Sequence, residues 1–265
     1  MRVTMLGTGT SHGVPMLDCM LNDYARCPHQ VCRKARDDAR YRRTRASILM
    51  DTGRSHILVD TSQDFRQQML ANEVRRIDAV VYTHCHADHI YGLPDIRSYC
   101  RRQGGAIPVY GSSETLDYIR GAFDYIFNPP EFLGGGIPSI ETHILDRAMV
   151  VAGVMVTPVP VEHGPLKGCF GVRIGDTAYI PDAKRIPEGS LALLRGLDLL
   201  ILNCLRLRPH GSNLSLEESL AYVRMLSPRR ALLTHMSHEI DEDIEGKLLP
   251  PEVAFARDGQ VVECV

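Results

Sequence analysis

The fold is decided by Thr83-His84-Cys85-His86-Ala87-Asp88-His89, which follows an apolar run at residues 79–82 typical of a buried strand. His84 and His86 are two residues apart, so on extended chain their side chains leave on the same side and can share one metal ion. If Asp88 caps a helix that begins near His89, the chain turns there and presents this second pair to a second ion. The heptapeptide therefore predicts a two-metal centre rather than a histidine-rich surface turn.

Outward from this motif, strands alternate with helices. Helical spacing occurs at residues 63–72, 90–102, 113–127 and 214–226, and the last segment opens with Ser215 and Glu218 in the pattern of a capping box. Apolar runs rich in β-branched residues predict ten strands, at residues 2–6, 47–50, 56–59, 79–82, 107–110, 154–161, 170–174, 178–180, 199–202 and 231–233. The pattern predicts the α/β class.

The chain shows no sign of a division into halves. The only glycine-rich stretch, Gly134-Gly135-Gly136, is short enough to be a loop, and no Ser/Gly/Pro-rich linker is present. We therefore expect a single domain over residues 1–265. With 44% hydrophobic residues, the sequence is ample for a buried core.

Charge and targeting features limit the classes of function. A formal net charge of -2 argues against a protein whose main task is to coat nucleic acid or an anionic membrane. Residues 1–9 lack the features of a signal peptide, and no apolar run approaches the roughly 18 residues needed to span a bilayer. We therefore expect a cytoplasmic protein without membrane contact. In reducing cytosol its eight cysteines are free thiols or metal ligands.

The pattern Thr-His-x-His-x-Asp-His after a hydrophobic strand resembles the signature of the metallo-β-lactamase superfamily. That family has a further His, Asp and His at strand ends downstream, and His163, Asp182 and His235 fill these positions. The resemblance implies a four-layer αββα sandwich in which Asp60 braces the site from behind. It also implies one ion on His84, His86 and His163, another on Asp88, His89 and His235, and Asp182 bridging the two.

Such a centre predicts hydrolysis. Two divalent cations lower the pKa of a bridging water toward neutrality and hold the attacked group. A carboxylate bridge fixes the separation of the two cations at about 3.5–4 Å. The expected nucleophile is a metal-bridging hydroxide, so no serine or cysteine nucleophile is required. Cys85 alternates away from its histidine neighbours and is expected to pack rather than react. His and Asp ligands accept Zn, Mn or Fe, so the sequence leaves the metals open.

A second, structural zinc is predicted from three cysteines and a histidine. Cys19, Cys27 and Cys32 lie in a loop with little hydrophobic pattern, and His238 follows His235 by three residues; such a set makes a closed zinc site. The arrangement, with Tyr41-Arg42-Arg43 after the loop, resembles the superfamily branch that contains phosphoribosyl cyclic phosphate phosphodiesterase. The cysteines are more widely spaced here than in that branch. A ligand role for His29, or three unrelated thiols, therefore stay as alternatives.

Two further features concern phosphate. The loop Gly7-Thr8-Gly9-Thr10-Ser11-His12-Gly13 has its last glycine one residue late for a dinucleotide fingerprint, which favours a plain tight turn. A basic stretch predicts either partners for a phosphate or a solvated helix face, with Asp37 and Asp38 interleaved: Arg33, Lys34, Arg36, Arg40, Arg42, Arg43 and Arg45.

The group that protonates the leaving group is a separate question in the predicted site. Related enzymes carry a further histidine before the helix that precedes the last metal ligand, where it contacts phosphate or helps to protonate the leaving group. The matching residue here is Asn213, which can donate a hydrogen bond but cannot shuttle a proton. Either His210 substitutes for it, or the protein is slower than its relatives. Asp88, His210 and Asn213 are thus the candidate catalytic residues.

The resemblance to that branch implies a metal-dependent phosphodiesterase of a small cyclic or nucleotide-like substrate, with two active-site Zn or Mn ions, or Fe, and one structural Zn. A tRNase Z-like RNA endonuclease is an alternative, but the chain lacks a long Gly/Pro-rich arm for gripping tRNA and is slightly acidic, which argues against a nucleic-acid partner. A thioester or lactone hydrolase and a non-catalytic metal-binding protein are further alternatives. A homodimer is left open.

Overall fold

The computed structural model describes residues 1–131 and 136–264. Its strands, in chain order, are β1 (Arg2–Gly7), β2 (Ser47–Asp51), β3 (His56–Val59), β4 (Ala79–Val81), β5 (Ile107–Gly111), β6 (Ile140–Ile144), β7 (Met149–Val151), β8 (Val154–Pro160), β9 (Phe170–Ile174), β10 (Thr177–Ile180), β11 (Leu199–Asn203), β12 (Arg230–Thr234), β13 (Val253–Phe255) and β14 (Val261–Glu263). All ten predicted strands are confirmed. Gly134 and Gly135 of the predicted glycine loop lie outside the described residues.

The strands form two seven-stranded mixed sheets of similar construction. One has the order β14-β1-β2-β3-β4-β5-β6 and the other β13-β12-β11-β10-β9-β8-β7. In each sheet, one half is antiparallel and the other parallel, the parallel halves being β3-β4-β5-β6 and β10-β11-β12-β13. Parallel strands deliver their carboxyl ends to one edge of each sheet, which is where the predicted ligands lie.

Helices cover the outer face of each sheet, and two further short helices, the first two in the chain, pack together around the cysteines. Their bounds are α1 (Leu17–Leu21), α2 (Val31–Asp37), α3 (Phe65–Ala71), α4 (Ala87–Ile90), α5 (Arg97–Gln103), α6 (Ser113–Ala122), α7 (Asp124–Phe127), α8 (Glu188–Ala192), α9 (Leu216–Leu226) and α10 (Glu242–Glu245). Short 3-10 turns lie at Pro28–Gln30, Ala39–Tyr41, Leu93–Ile96 and Gly246–Leu248. The capping box of Ser215 and Glu218 is confirmed at the start of α9.

Alternation along the strands produces the layers. In β4, Ala79 and Val81 face the core between the sheets, whereas Val80 packs under the outer helices with Phe65 and Leu116. In β10 the alternation repeats, with Tyr179 in the central core and Ala178 beneath the helices of the second sheet. These three apolar layers separate helix, sheet, sheet and helix, so the predicted αββα sandwich is confirmed. The first sheet takes strands from both ends of the chain, and the one-domain organisation stays a prediction.

Two local predictions around the motif are wrong. Helix α4 begins at Ala87 with His86 as its N-cap, so Asp88 lies inside the first turn and does not cap it. The helix expected at residues 90–102 is divided into α4, the 3-10 turn Leu93–Ile96 and α5. Pro94 is the physical reason, because its ring disfavours a continuous helix and it has no backbone N–H to donate.

Among residues 1–131 and 136–264, no helix is long and apolar enough to cross a membrane.

Candidate metal centre

Loops at the ends of strands bring the predicted ligands together. Asp60 follows β3, the heptapeptide follows β4, and His163 follows β8. Asp182 follows β10, and His235 follows β12. These residues are far apart in sequence but converge at this edge of the two sheets, where the ligand atoms form two groups, each within 4.8 Å.

The first group consists of His84, His86 and His163. His86 Nδ1 lies 3.1 Å from His84 Nε2 and 3.2 Å from His163 Nε2. The side chains of His84 and His86 therefore leave the chain on the same side, as their spacing predicts. His86 is exposed, whereas the other two are buried.

The second group consists of Asp88, His89, Asp182 and His235. His235 Nε2 lies 3.4 Å from Asp88 Oδ2, and His89 Nε2 lies 3.3 Å from the same oxygen. Asp182 Oδ2 lies 2.9 Å from His89 Nε2, 3.2 Å from His235 Nε2 and 3.8 Å from His84 Nε2. One carboxylate oxygen of Asp182 thus faces both groups, the position a bridging ligand requires.

The chemistry of these donors fits divalent cations. Two buried atoms at the meeting point, His89 Nε2 and Asp182 Oδ2, have no hydrogen-bond partner of acceptable geometry among the described residues. Burial and the neighbouring His89 hold the pKa of His84 well below its ordinary value, so His84 is neutral and offers a lone pair. At His89, burial is outweighed by the carboxylates of Asp88 and Asp60, which raise the pKa well above its ordinary value. The carboxylates around His89 therefore stabilise a positive charge at this position, and a bound metal cation supplies one.

Asp60 holds the motif from behind. Its carboxylate accepts hydrogen bonds from Thr83 N and Thr83 Oγ1, both at 2.8 Å, and lies 2.7 Å from His89 Nδ1. Asp60 is fully buried. Its contact with Nδ1 leaves Nε2 of His89 free for an ion. Asp60 thus lies where a residue that braces the ligands from behind is expected.

The loop after β11 supports the other side of the centre. Asn213 Nδ2 donates to Asp182 Oδ1 at 2.7 Å, and Ser212 O lies 2.8 Å from His163 Nδ1. Asn213 therefore orients Asp182. His210 is half-buried in the wall of the same cavity, where its Nδ1 lies 3.3 Å from Ser212 N and 3.1 Å from Ser212 Oγ. Of the candidate catalytic residues, Asn213 contacts a ligand and His210 faces the open space.

The predicted zinc ligands form a third group. His238 Nδ1 lies 3.1 Å from Cys19 Sγ, 3.8 Å from Cys27 Sγ and 3.5 Å from Cys32 Sγ. Burial raises the pKa of the Cys19 and Cys32 thiols, so an ion is needed to keep thiolates in this place. His29 is not part of the group; its Nε2 faces Glu245 at 3.9 Å instead.

A buried arginine, Arg43, joins the stretch after the Cys loop to the segment that carries His235 and His238. Arg43 is only 2% exposed, and its guanidinium donates to Ser237 O at 2.8 Å and Ile240 O at 3.0 Å. The segment that carries His235 and His238 is therefore fixed to a residue that lies downstream of the Cys loop and helix α2. The sequence indicates this residue only through Tyr41-Arg42-Arg43, which belongs to the resemblance but does not tell what Arg43 contacts.

The basic stretch does not supply partners for a phosphate. Lys34 pairs with Asp241, Arg36 with Asp37, Arg40 with Asp38 and Arg45 with Asp64. None of the seven basic residues lies among the described residues that line the cavity over the metal centre. These contacts favour the interpretation of this stretch as a solvated helix face over its interpretation as a phosphate site.

The cavity has a volume of about 350 Å³ and takes in both ligand groups. Its wall includes residues that sequence reasoning missed as site residues, namely Thr10, Ser11, His12, Met16, Leu205, Arg206, Ser237 and Glu239. The loop Gly7–Gly13 thus lies at the site, although its glycine pattern favours a plain turn.

Comparison with known proteins agrees with this geometry. A sequence profile for the β-lactamase superfamily domain matches residues 55–236. The chain belongs to the β-lactamase superfamily. A solved structure of a new diphosphatase from the PhnP family resembles this superfamily member with a TM-score of 0.87 and 36% identity, covering 100% of this chain and 98% of that one.

Two other similar proteins carry different names. Zinc-bound PqqB from Methylobacterium extorquens has a TM-score of 0.80 at 22% identity over 100% of both chains, a likeness that shows the fold alone. A Porphyromonas gingivalis protein named octanoyltransferase is 34% identical over 98% of this chain. The chain spans 51% of the length of that protein. Membership in the superfamily, together with the His/Asp groups, supports a metal-dependent hydrolase.

Proposed function

We propose that this superfamily member is a two-metal phosphodiesterase that hydrolyses a small cyclic or nucleotide-like phosphodiester. One observation carries the proposal: two ligand groups meet at Asp182 in a cavity whose other wall holds Arg206 and His210. Positively charged and imidazole side chains beside a two-metal centre suit a phosphoryl group, whose oxygens carry the charge. The solved diphosphatase of the PhnP family supports the same substrate chemistry.

The ligand roles follow from the two groups. His84, His86 and His163 would hold one divalent ion, and Asp88, His89 and His235 a second, with Asp182 shared. When bound, the two ions would activate a water molecule and neutralise charge on the phosphoryl oxygens. Zn, Mn and Fe all suit this donor set.

The protein's own groups would orient the ligands and handle the leaving group. Asp60 fixes His89, and Asn213 fixes Asp182 through the bonds described above. Because Nδ1 of His210 faces Ser212, Nε2 is the nitrogen free to carry a proton toward a leaving oxygen. Asn213 would act as a positioning residue, and His210 as the residue that contacts the substrate.

Cys19, Cys27, Cys32 and His238 would hold a structural zinc. Three thiolates and one imidazole form a closed tetrahedral site, which leaves no position for a substrate. Its proposed role is to stabilise the loop at residues 19–32 against the segment that carries His235.

A second candidate function, thioester hydrolysis, is favoured by one apolar feature. Met16 lines the cavity, and the adjoining helix α1 exposes Leu17, Met20 and Leu21. Such a surface suits an acyl chain, and the name of the Porphyromonas gingivalis relative concerns octanoyl transfer. The charged opposite wall favours the phosphodiester.

Turnover by metal-reconstituted protein tests the proposal. The substrates are bis-para-nitrophenyl phosphate, a cyclic nucleotide, a precursor tRNA and an octanoyl thioester, with Asp182→Ala as the inactive control. We expect hydrolysis of the small phosphodiesters and loss of that activity in the control. Faster hydrolysis of the thioester would support the second candidate, and cleavage of the tRNA alone would support an endonuclease. Full metal content without any turnover would indicate a binding protein.

A further inference from the structure

One of the four predicted zinc ligands also belongs to the cavity over the metal centre. Among the described residues that line this cavity, His238 is the one member of the group that it forms with Cys19, Cys27 and Cys32. The three cysteines are at most 8% exposed, whereas His238 is half-buried. The cavity also contains the active-site ligand His235. The zinc group therefore builds part of the cavity wall.

The two ring nitrogens of His238 have different surroundings. Nδ1 lies 3.1 Å from Cys19 Sγ, 3.8 Å from Cys27 Sγ and 3.5 Å from Cys32 Sγ. Nε2 forms no hydrogen bond with a described residue, and it is not sealed in the interior. Because His238 lines the cavity, Nε2 opens toward that space. A histidine that binds a metal through Nδ1 carries its hydrogen on Nε2, so the wall presents an N–H donor.

The direction of this donor is fixed from two sides. On one side, the thiols surround Nδ1 of His238. On the other side, the preceding backbone is fixed, because Ser237 N donates to Leu205 O at 2.9 Å and Ser237 O accepts from Arg43 Nη1 at 2.8 Å. A donor that is held in place before a ligand arrives loses little conformational entropy when it binds. Nε2 is thus pre-organised to contact an acceptor in the cavity.

The charge of this wall disfavours an anion as that acceptor. Three thiolates and one divalent ion together carry a net charge of about -1. The adjacent acid, Glu239, lines the same cavity and pairs with Arg208 at 3.0 Å. Arg206, the cation among the described lining residues, forms no ion pair with a described residue. A phosphoryl group is therefore attracted to the active-site ions and to Arg206 rather than to His238.

Apolar side chains adjoin the donor. Met16 lines the cavity, and its backbone N donates to Cys32 Sγ at 3.3 Å, which places it beside the zinc group. Leu205 lines the cavity as well, and its carbonyl is bonded to Ser237. Apolar surface with a few polar groups that fix orientation is the usual construction of a site for an organic ligand. This wall therefore suits the part of a substrate that is uncharged and is not hydrolysed.

We propose that the wall formed by His238 and Met16 is a subsite for the uncharged organic group of the substrate. His238 Nε2 donates a hydrogen bond to a neutral oxygen of that group, either a sugar hydroxyl or a base carbonyl, and Met16 packs against its apolar surface. The inference rests on the proposed function and names the part of the substrate that gives specificity. His238 thereby connects the zinc group, through its ring, to substrate selection.

Nuclear magnetic resonance on the metal-loaded protein tests the contact directly. With 15N-labelled histidine, the resonance of His238 Nε2 is followed through the carbon-bound hydrogens of its ring during titration with inorganic phosphate, ribose 5-phosphate and uridine 5′-monophosphate. We expect the resonance to shift with an organic phosphate and not with inorganic phosphate. A shift with ribose 5-phosphate identifies a sugar hydroxyl as the acceptor, and a shift with the nucleotide alone identifies a base carbonyl. No shift with either organic phosphate, or an equal shift with inorganic phosphate, would overturn the inference.

A change of zinc ligand separates the N–H donor from the metal. His238→Cys keeps a fourth ligand but has no N–H, and Cys27→His is the matched control, which also alters the ligand set but keeps His238. Elemental analysis and thermal unfolding establish that each variant keeps its zinc and its fold. By calorimetry, His238→Cys should bind the organic phosphate about five- to tenfold more weakly and inorganic phosphate equally well, while Cys27→His should match wild type. If a variant loses its zinc, the titration of wild type still decides.

These measurements distinguish the inference from the proposed function because they record binding without turnover. If no phosphodiester is hydrolysed but the His238 resonance and the calorimetry behave as expected, the proposed function fails and the subsite remains. If phosphodiesters are hydrolysed but zinc-loaded His238→Cys binds the organic phosphate as tightly as wild type, the proposed function holds and the inference is wrong.

Discussion

Asp60 Oδ2 lies 2.7 Å from His89 Nδ1, and both side chains are buried. The same carboxylate accepts two hydrogen bonds from Thr83, the first residue of the heptapeptide. Asp60, which follows β3, therefore fixes both Thr83 at the start of the motif and the imidazole ring of His89 at its end. This contact explains how a short loop can face two ligand groups.

Asp60→Asn should weaken metal binding without disturbing the backbone. Asp60 has φ of 63°, a left-handed conformation that asparagine also tolerates. An amide cannot accept from Thr83 and His89 with the charge of a carboxylate, so we expect about 10- to 100-fold lower affinity for the ion at His89. Competition with a chelator measures it, with Asp51→Asn as a distant control. Equal affinities in the two variants would show that Asp60 is only structural.

Asp182→Ala and Asp88→Ala should each abolish hydrolysis and leave the fold intact, because each change removes a ligand but leaves the strands untouched. His86→Ala should act similarly. Cys85→Ser should be nearly neutral, since the thiol is not part of either ligand group. Rates and circular dichroism on each variant check this. Activity of an aspartate variant within a few-fold of wild type would contradict the two-metal assignment, and a large loss in Cys85→Ser would show that the thiol takes part.

His210 and Asn213 can be separated by leaving-group basicity. If His210 protonates the leaving group, His210→Ala should slow substrates with basic leaving groups most, and Asn213→His should add little. If the role is vacant, Asn213→His should accelerate those substrates, provided that the new ring keeps the hydrogen bond to Asp182 Oδ1. A series of aryl and alkyl phosphodiesters measures the dependence. No effect of either change would leave catalysis to the metals and solvent.

The sequence predicts the inner strands of both sheets but misses all four edge strands: β6, β7, β13 and β14. An inner strand is paired on both sides and reads as an apolar run, as β11 does with five buried residues. An edge strand is paired once, and β6 is exposed or half-buried throughout. Its identity depends on a neighbour that is distant in sequence.

The site shows the same division. The ligand sets could be predicted because ligand chemistry restricts residue type, and spacing restricts geometry. The positions of Arg206 and Arg43 could not be predicted in this way, because the role of an arginine depends on the residues that surround it in the folded protein. Arg43 is buried against Ser237 and Ile240, nearly two hundred positions away. The neighbouring Tyr41 and Arg42 mark the position through the resemblance, but they do not indicate that contact.

Stability should depend on pH through Asp258. Burial, opposed by hydrogen bonds from Thr44 and Thr8, raises the pKa of Asp258 to about 6. As pH rises from about 4 to 6, the unfolded chain has released a proton that the folded protein still holds, so the free energy of unfolding falls. Above pH 6 the penalty is constant, on the order of 3 kcal/mol.

Asp258→Asn should remove this penalty. Its amide oxygen can accept from Thr44, and its amide nitrogen can donate to Thr8 Oγ1. We therefore expect the variant to be more stable than wild type above pH 6, with the difference vanishing near pH 4. Urea unfolding across this range measures it, and Asp258→Ala, which leaves Thr44 N without its acceptor, should be destabilised throughout. A difference between Asn and wild type that does not change with pH would refute the role of Asp258.

His238 and His235, three residues apart, should separate structure from catalysis. His238 Nδ1 faces three thiols, whereas His235 Nε2 faces Asp88 and Asp182. His238→Ala should lose about one zinc per chain and several kcal/mol of stability, because a closed zinc site couples metal affinity to folding, yet keep the active-site metals. His235→Ala should empty the catalytic centre and stop turnover with a smaller change in stability. Elemental analysis and thermal unfolding of both variants decide the matter. The assignment fails if His238→Ala retains full zinc, or if Cys27 and Cys32 of the native metal-loaded protein are readily alkylated.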